Sequence, residues 1–227
     1  FKAFRPTEDK VHLVASRSYV TYAERELREK LENNPFSFIH IIHPDYNAER
    51  PSEPGTDERF MKVRLRFDDF VNEGILERDE SPCLYLYRQL TDSFDSVGII
   101  SAVHADDYRH GNIRVHEQTL APREALFAEY LDATSFNAEP ILLCHEDRPE
   151  LNAFYEEIMK RRPTYNFTTT DRYQHQLWHI DSPEEIGRIQ RFFADMNALY
   201  IADGHHRSAS SVLLADRRRQ TQPDATT

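Results

Sequence analysis

The sequence has little of what marks specialised classes of chain. Its 227 residues include only 6 glycines, 2 cysteines and 1 tryptophan, and no apolar run approaches the ~18 residues of a membrane span. The scarcity of glycine excludes a collagen-like chain, and the lack of long apolar runs excludes a predicted transmembrane helix. The opening residues contain no apolar segment typical of a secretory signal, so we expect a cytoplasmic protein that does not bind membranes.

The two cysteines are also uninformative about metal binding. Cys83 and Cys144 are far apart and form no CxxC pair, and no cysteine and histidine residues show the spacing of a zinc motif. We expect both thiols to be small buried side chains in a reducing compartment, with a disulfide as the alternative.

Common nucleotide and hydrolase motifs are missing too. The chain contains neither GxxxxGK[ST] nor GxGxxG, which excludes the P-loop and Rossmann phosphate-binding turns. It also contains neither HExxH nor GxSxG. Any nucleotide site must therefore use a different turn.

The composition fits a folded acidic domain. Hydrophobic residues make up 39% of the chain and aromatic residues 11%, which is enough for a core. The formal charge of -11, from 28 basic and 39 acidic residues, argues against nucleic acid as a partner, because phosphate neutralisation needs a basic face. A local basic pocket for a small anion is compatible with this balance.

Hydrophobic periodicity predicts alternating strands and helices. The predicted strands are 11–16, 36–42, 83–91, 96–105, 139–146, 165–171, 173–181 and 198–204, and the predicted helices are 23–34, 57–74, 122–135, 149–162, 182–196 and 205–220. Two short links predict antiparallel hairpins. The expected fold is α/β (α+β), with mixed, largely antiparallel sheets and flanking helices. We expect one domain over residues 1–216 and a polar disordered tail over 217–227.

The segment 200–207, YIADGHHR, is the strongest candidate for a functional site. A predicted strand ends near Asp203, Gly204 makes a turn, and a helix begins with His205, His206 and Arg207. Cationic side chains are unfavourable at the positive end of a helix dipole unless an anion neutralises them. The pattern predicts a phosphate-binding helix start, with Asp203 placed to hold a metal ion or orient a hydroxyl. The alternative is that Asp203 only caps the helix and the histidines are solvated.

A second candidate follows the predicted strand end near residue 115. Glu117 could act as a general base, and the neighbouring His116 could bind phosphate. Adjacent residues of a strand point to opposite faces, so both serve one site only if the strand has already ended. The alternative is an ordinary polar strand end.

The chain resembles the bacterial family catalogued as domain of unknown function 1015. The similarity rests on FKAFRP, NPFSFIHII, VHEQT, EPILL, LWHID and LYIADGHHRSAS, and it extends over essentially the whole length. Family members are nearly twice as long, which implies that this chain corresponds to their N-terminal half. The family usually has a lysine after the His-Glu pair, where this chain has Gln118.

The DGHHR motif also resembles a motif of the ParB/sulfiredoxin-like superfamily, in which this turn and helix start bind nucleotide phosphates. Sulfiredoxins have a reactive cysteine in the turn, whereas this chain has His205, which disfavours sulfinic-acid repair. Free serine kinases carry the same five residues. The resemblance therefore implies nucleotide binding through Gly204, His205, His206 and Arg207.

Together these observations predict a nucleotide-dependent phosphotransferase that acts on a small hydroxyl metabolite, with free serine as a candidate acceptor. Asp203 and Glu117 would be catalytic, Arg207, His205 and His116 would bind phosphate, and the cofactors would be Mg²⁺ with ATP or ADP. One alternative is a ParB-like module that hydrolyses a nucleotide as a switch. Another is a metal-dependent hydrolase that uses His116, Glu117, Asp203 and His205.

Overall fold

The computed structural model describes residues 1–221, and these form two compact units. Unit 1 comprises Phe1–Ser52, Lys62–Ser101 and Pro149–Gln190, and unit 2 comprises Glu53–Met61, Ala102–Arg148 and the residues from Arg191 onward. The sequence predicts one domain over residues 1–216. No break in composition marks the two units, because each is assembled from separated segments.

The regular elements alternate along the chain as expected. In chain order they are β1 (Phe4–Pro6), α1 (Val11–Val14), a 3-10 turn (Tyr19–Thr21), α2 (Glu24–Asn33), α3 (Ile39–Ile42), α4 (Asp57–Asn72), β2 (Leu76–Arg78), β3 (Leu84–Leu90), β4 (Asp95–Ile100), α5 (Ala105–Arg109), β5 (Ile113–Arg114), α6 (Ala121–Thr134), β6 (Leu142–Cys144), α7 (Pro149–Met159), β7 (Tyr165–Thr168), β8 (Gln174–Ile180), α8 (Pro183–Ala194), β9 (Leu199–Asp203) and α9 (His205–Thr221).

Unit 1 is built on an antiparallel four-stranded sheet in the order β4-β3-β8-β7, beside a two-stranded β1-β2 sheet. The pairs β3-β4 and β7-β8 are the two hairpins predicted from the sequence. Side chains alternate between the two faces of a strand. One face carries Leu86, Trp178 and Ile180, which are all buried, and the indole N–H of Trp178 donates to the Arg161 carbonyl over 2.9 Å. This face forms the core of the sheet.

A buried ion pair lies beside the two-stranded sheet of unit 1. Arg5 Nε donates to Asp79 Oδ1 over 2.8 Å, and the Asp79 side chain is 2% exposed. Burial alone would raise the pKa of Asp79, but hydrogen bonds from Tyr85, Arg5, Cys83 and a backbone amide outweigh it and hold the pKa below its usual value. Asp79 is therefore a charged group whose donors come from two segments, those of β1 and β3.

Unit 2 contains a three-stranded mixed sheet in the order β5-β9-β6. The central strand β9 pairs parallel with β5 and antiparallel with β6. Ile113 and Ile201 are buried in the sheet, and helices α6 and α9 pack together. With its two sheet types and nine α-helices within residues 1–221, the chain confirms the predicted α/β class with largely antiparallel sheets.

Two predicted strands are wrong. Residues 11–16 contain helix α1, with Val11 and Val14 buried, and residues 36–42 contain helix α3, with Ile39 and Ile41 buried. A short apolar run is compatible with a buried strand or a buried helical turn, and periodicity cannot separate the two. Tertiary burial decides the conformation of these segments.

Three further expectations need correction. β4 ends at Ile100, and residues 105–109 form helix α5 instead of extending the strand. Cys83 is buried as expected, but Cys144 is exposed, and both thiols are free. Helix α9 continues to Thr221, so residues 217–221 of the expected disordered tail are helical, while residues 222–227 lie outside the described part of the chain.

A helix that crosses a membrane must be both long and apolar. Within residues 1–221, no helix meets both requirements.

The stability of unit 1 should depend on pH through His175. Its ring stacks on Phe167 at 5.0 Å, with Nδ1 2.6 Å from the Tyr87 hydroxyl and Nε2 3.2 Å from the Thr169 hydroxyl. Burial lowers the pKa of His175. The unfolded chain therefore binds the proton more readily, and stability is lost as the pH falls below the unfolded value of about 6.5.

We predict that His175→Gln flattens the dependence of the unfolding free energy on pH between about 7.5 and 5.5, as measured by urea titrations at several pH values. His110→Gln, at an exposed position, is the control and should keep the wild-type slope. An unchanged slope in His175→Gln would contradict the prediction.

Candidate functional site

The candidate site of unit 2 is built where strand β9 turns into helix α9. Asp203 is the last residue of β9 and Gly204 is the turn, with φ +96, a conformation that favours glycine. A Cβ at this position would lie 2.8 Å from Ile141 Cγ2 and 3.1 Å from Arg207 Nε. A side chain at residue 204 would therefore force Ile141 to shift and would strain the backbone.

Strand pairing brings the second candidate segment to this turn. β5 runs parallel to β9, with Arg114 opposite Tyr200, so the residues that follow each strand continue in the same direction. His116 and Glu117 follow β5 after one intervening residue, so the strand has already ended. They are thus presented at the carboxyl ends of two adjacent parallel strands, a common position for ligand sites.

The segments meet at His205. Its Nδ1 lies 3.5 Å from Glu117 Oε2, and its ring packs edge-to-face against His116 with centroids 4.5 Å apart. His205 is 5% exposed, and its Nε2 is buried without a hydrogen-bond partner. The solvated histidine of the alternative interpretation does not apply to His205.

Arg207 is held by carboxylates on both sides. Its Nη1 lies 2.8 Å from Glu139 Oε2, and its Nη2 donates to Asp203. Among the described residues, Asp203 accepts no hydrogen bond from a backbone amide of α9, so it does not act as the helix cap.

Glu139 was not predicted as a site residue. It lies 68 positions before Arg207, just ahead of β6, and no local pattern identifies it.

The remaining predicted residue, His206, is partly exposed on the first turn of α9 with its Nδ1 buried and unpartnered. The first turn of α9 contains no acidic residue, and the first amides of a helix have no intrahelical acceptor. The surroundings are nevertheless acidic, because Asp203, Glu117 and Glu139 outnumber Arg207. Such a site suits an anion that arrives with a divalent cation.

The four residues that a metal-dependent hydrolase would use do not form a preformed metal site. Within residues 1–221, one group of three potential ligands has all its ligand atoms within 4.8 Å of one another, and it consists of Asp79, Cys83 and His179 of unit 1. The ligand atoms of His116, Glu117, Asp203 and His205 form no such group.

Comparison with known proteins gives a family. The model of the family described as protein of unknown function (DUF1015) matches residues 1–227. The chain belongs to the DUF1015 family. No curated protein and no solved structure matches it. The turn of this DUF1015 chain must therefore be interpreted from its own geometry.

Replacing the glycine of the turn should destabilise this DUF1015 chain. Gly204→Ala forces a side chain into a left-handed backbone position and against Ile141, and we expect a loss of about 1–3 kcal/mol of unfolding free energy. Gly98→Ala on β4 is the matched control, because a Cβ there meets nothing within 4 Å. It should change stability by less than about 0.5 kcal/mol. Equal stability of the two variants, measured by urea denaturation, would show that the turn relaxes.

Proposed function

We propose that this DUF1015 chain carries the phosphate-binding and proton-accepting groups of a nucleotide-dependent phosphotransferase. The observation that carries the proposal is the convergence of Glu117 and His116 on the buried His205, directly beside a glycine turn that opens a long helix. The sequence resemblance of this turn to the nucleotide-binding turn of ParB/sulfiredoxin-like proteins, and of DGHHR to free serine kinases, supports the same reaction class.

The binding half of the proposal uses the start of α9. The amides of His205 and His206 and the side chain of Arg207 would contact the terminal phosphates of ATP or ADP. The side chain of Asp203 is 71% exposed, and its carboxylate offers the oxygen ligands that Mg²⁺ prefers. When bound, Mg²⁺ neutralises phosphate charge. The Arg207–Asp203 contact is exposed, and such pairs contribute only about 0–1 kcal/mol, so phosphate can replace the carboxylate at little cost.

The chemical half uses Glu117. Its carboxylate is exposed and lies beside the ring of His205, which in turn contacts the ring of His116. In the proposed step the acceptor oxygen forms a bond to the terminal phosphorus and the bond from phosphorus to the bridging oxygen of the nucleotide breaks. The hydroxyl proton passes to Glu117. Positioning and charge neutralisation account for most of the catalysis in such a step.

Loss of either charged residue of the turn should abolish most of the transfer. We expect Arg207→Ala and Asp203→Asn to lower phosphorylation of the acceptor by at least ~100-fold, because the first removes a cation beside the transferred phosphate and the second weakens the proposed Mg²⁺ site. The assay measures phosphate transfer from ATP and from ADP, with and without Mg²⁺, to a panel of hydroxyl metabolites that begins with serine.

The matched controls are Arg218→Ala and Asp132→Asn. These residues form an ion pair of the same kind, over 2.7 Å, and Arg218 lies on the same helix as Arg207, about 16 Å further along it. They should retain wild-type transfer. Wild-type activity in the Arg207 and Asp203 variants would exclude the turn from catalysis, and nucleotide hydrolysis without any acceptor would favour the switch module.

The base can be tested separately from binding. Glu117→Gln keeps the size of the side chain but cannot accept the proton, so we expect kcat to fall by about 10²–10⁴-fold, with nucleotide affinity retained within about threefold. Glu129→Gln, on the exposed side of α6, is the control. A parallel loss of nucleotide affinity would instead assign Glu117 to binding.

A further inference from the structure

Unit 1 contains a second cluster of reactive side chains, separate from the candidate phosphotransfer site. Asp79 directly follows β2, Cys83 directly precedes β3, and His179 lies on β8 opposite Tyr85. One ligand atom from each of Asp79, Cys83 and His179 lies within 4.8 Å of the other two. The sequence shows no metal motif here, because pairing of β3 with β8 brings together residues almost a hundred positions apart.

We propose that Asp79, Cys83 and His179 bind one zinc ion that stabilises unit 1. A thiolate, an imidazole and a carboxylate are the protein ligands that zinc takes, and three of them with a water as the fourth complete a tetrahedral site. The Cys83 Sγ–Asp79 Oδ2 distance of 3.3 Å and the His179 Nε2–Asp79 Oδ1 distance of 3.9 Å suit ligands of one small ion.

The imidazole of His179 is oriented for such a role. Its Nε2 is buried, faces Asp79 and has no hydrogen-bond partner. Its Nδ1 faces Asp181 Oδ2 at 3.8 Å. A carboxylate beside Nδ1 favours the tautomer with the proton on that nitrogen, which leaves Nε2 free to donate its lone pair to a metal.

The neighbours of Asp79 and the local charges also agree with a dication. Arg5 Nε fixes Asp79 Oδ1 over 2.8 Å, and the guanidinium also pairs with Glu77. The thiol of Cys83 now donates to Asp79 Oδ2. When zinc binds, the S–H bond breaks, an S–Zn bond forms and the proton leaves to the buffer. The dication and Arg5 then balance the thiolate, Asp79 and Glu77.

Three protein ligands and a water are also the ligand set of catalytic zinc sites, so burial must decide the role of the ion, and here it indicates a structural one. The side chain of Asp79 is 2% exposed and Cys83 is 1% exposed, so no substrate can reach the metal through them. His179, with its side chain 26% exposed, provides the route by which the ion enters. The zinc ion would connect the β2–β3 segment to β8.

The test uses the full chain after chelation and dialysis. Zinc titration by calorimetry should give one site, cobalt should give tetrahedral d–d bands with sulfur-to-metal charge transfer, and zinc should raise the melting temperature. Cys83→Ser and His179→Gln should each weaken zinc binding by at least ~100-fold, and Asp181→Asn by about tenfold. His179→Gln alters a partly exposed side chain, so it serves if Cys83→Ser fails to fold.

The matched controls are Cys144→Ser, at the other free thiol, and His175→Gln, four residues earlier on β8. Both should bind zinc like the wild type. One-site binding lost only in the Cys83 and His179 variants supports the proposal. Absence of binding, a cobalt spectrum without sulfur charge transfer, or equal loss in the controls would overturn it and leave Asp79, Cys83 and His179 as a hydrogen-bond network.

Discussion

The central position of β9 is the constraint on which the candidate site depends. Because β9 pairs with β5 on one side and β6 on the other, both neighbours deliver polar side chains to the same turn. The parallel neighbour supplies the residues that follow it, Glu117 among them, and the antiparallel neighbour supplies the residues before it, such as Glu139. Gly204 makes the arrangement possible, since the space beside it is filled by Ile141 and Arg207. A single sheet order thus gathers segments that are up to 90 positions apart (207 minus 117).

Much of the fold was predictable because its signals are local. Helices such as α2 and α4 have strong periodicity and end near Pro35 and Gly74, and the hairpins have short polar links. The two segments predicted wrongly, at 11–16 and 36–42, are short apolar runs in which burial and not periodicity chooses the conformation. Local patterns lose their predictive value where tertiary packing makes the choice.

The functional clusters show the same limit more sharply. Asp203, Gly204 and Arg207 could be singled out because a strand, a turn and a helix start stand next to one another in the sequence. Glu139 could not, since its partnership with Arg207 follows from the register of β6 against β9. Likewise Cys83 and His179 have no spacing signal, because the β3–β8 register alone makes them neighbours. Chemistry that depends on strand register is not visible in one sequence.

Some buried polar atoms of the two clusters have hydrogen-bond partners and others have none, and this difference bears on the role of each cluster. Asp79 accepts hydrogen bonds from several donors, which keeps it charged, whereas the ring nitrogens Nε2 of His179 and Nε2 of His205 are buried without a hydrogen-bond partner. An unsatisfied buried polar group costs about 1–3 kcal/mol, so a chain keeps one where something compensates. In both clusters the other ring nitrogen faces a carboxylate, Asp181 or Glu117, which leaves the buried nitrogen as the acceptor. A metal ion can satisfy that acceptor at His179, where a thiol and a second carboxylate stand beside it. At His205, no comparable group of metal ligands among the described residues surrounds the ring, and the adjacent glycine turn opens helix α9 instead.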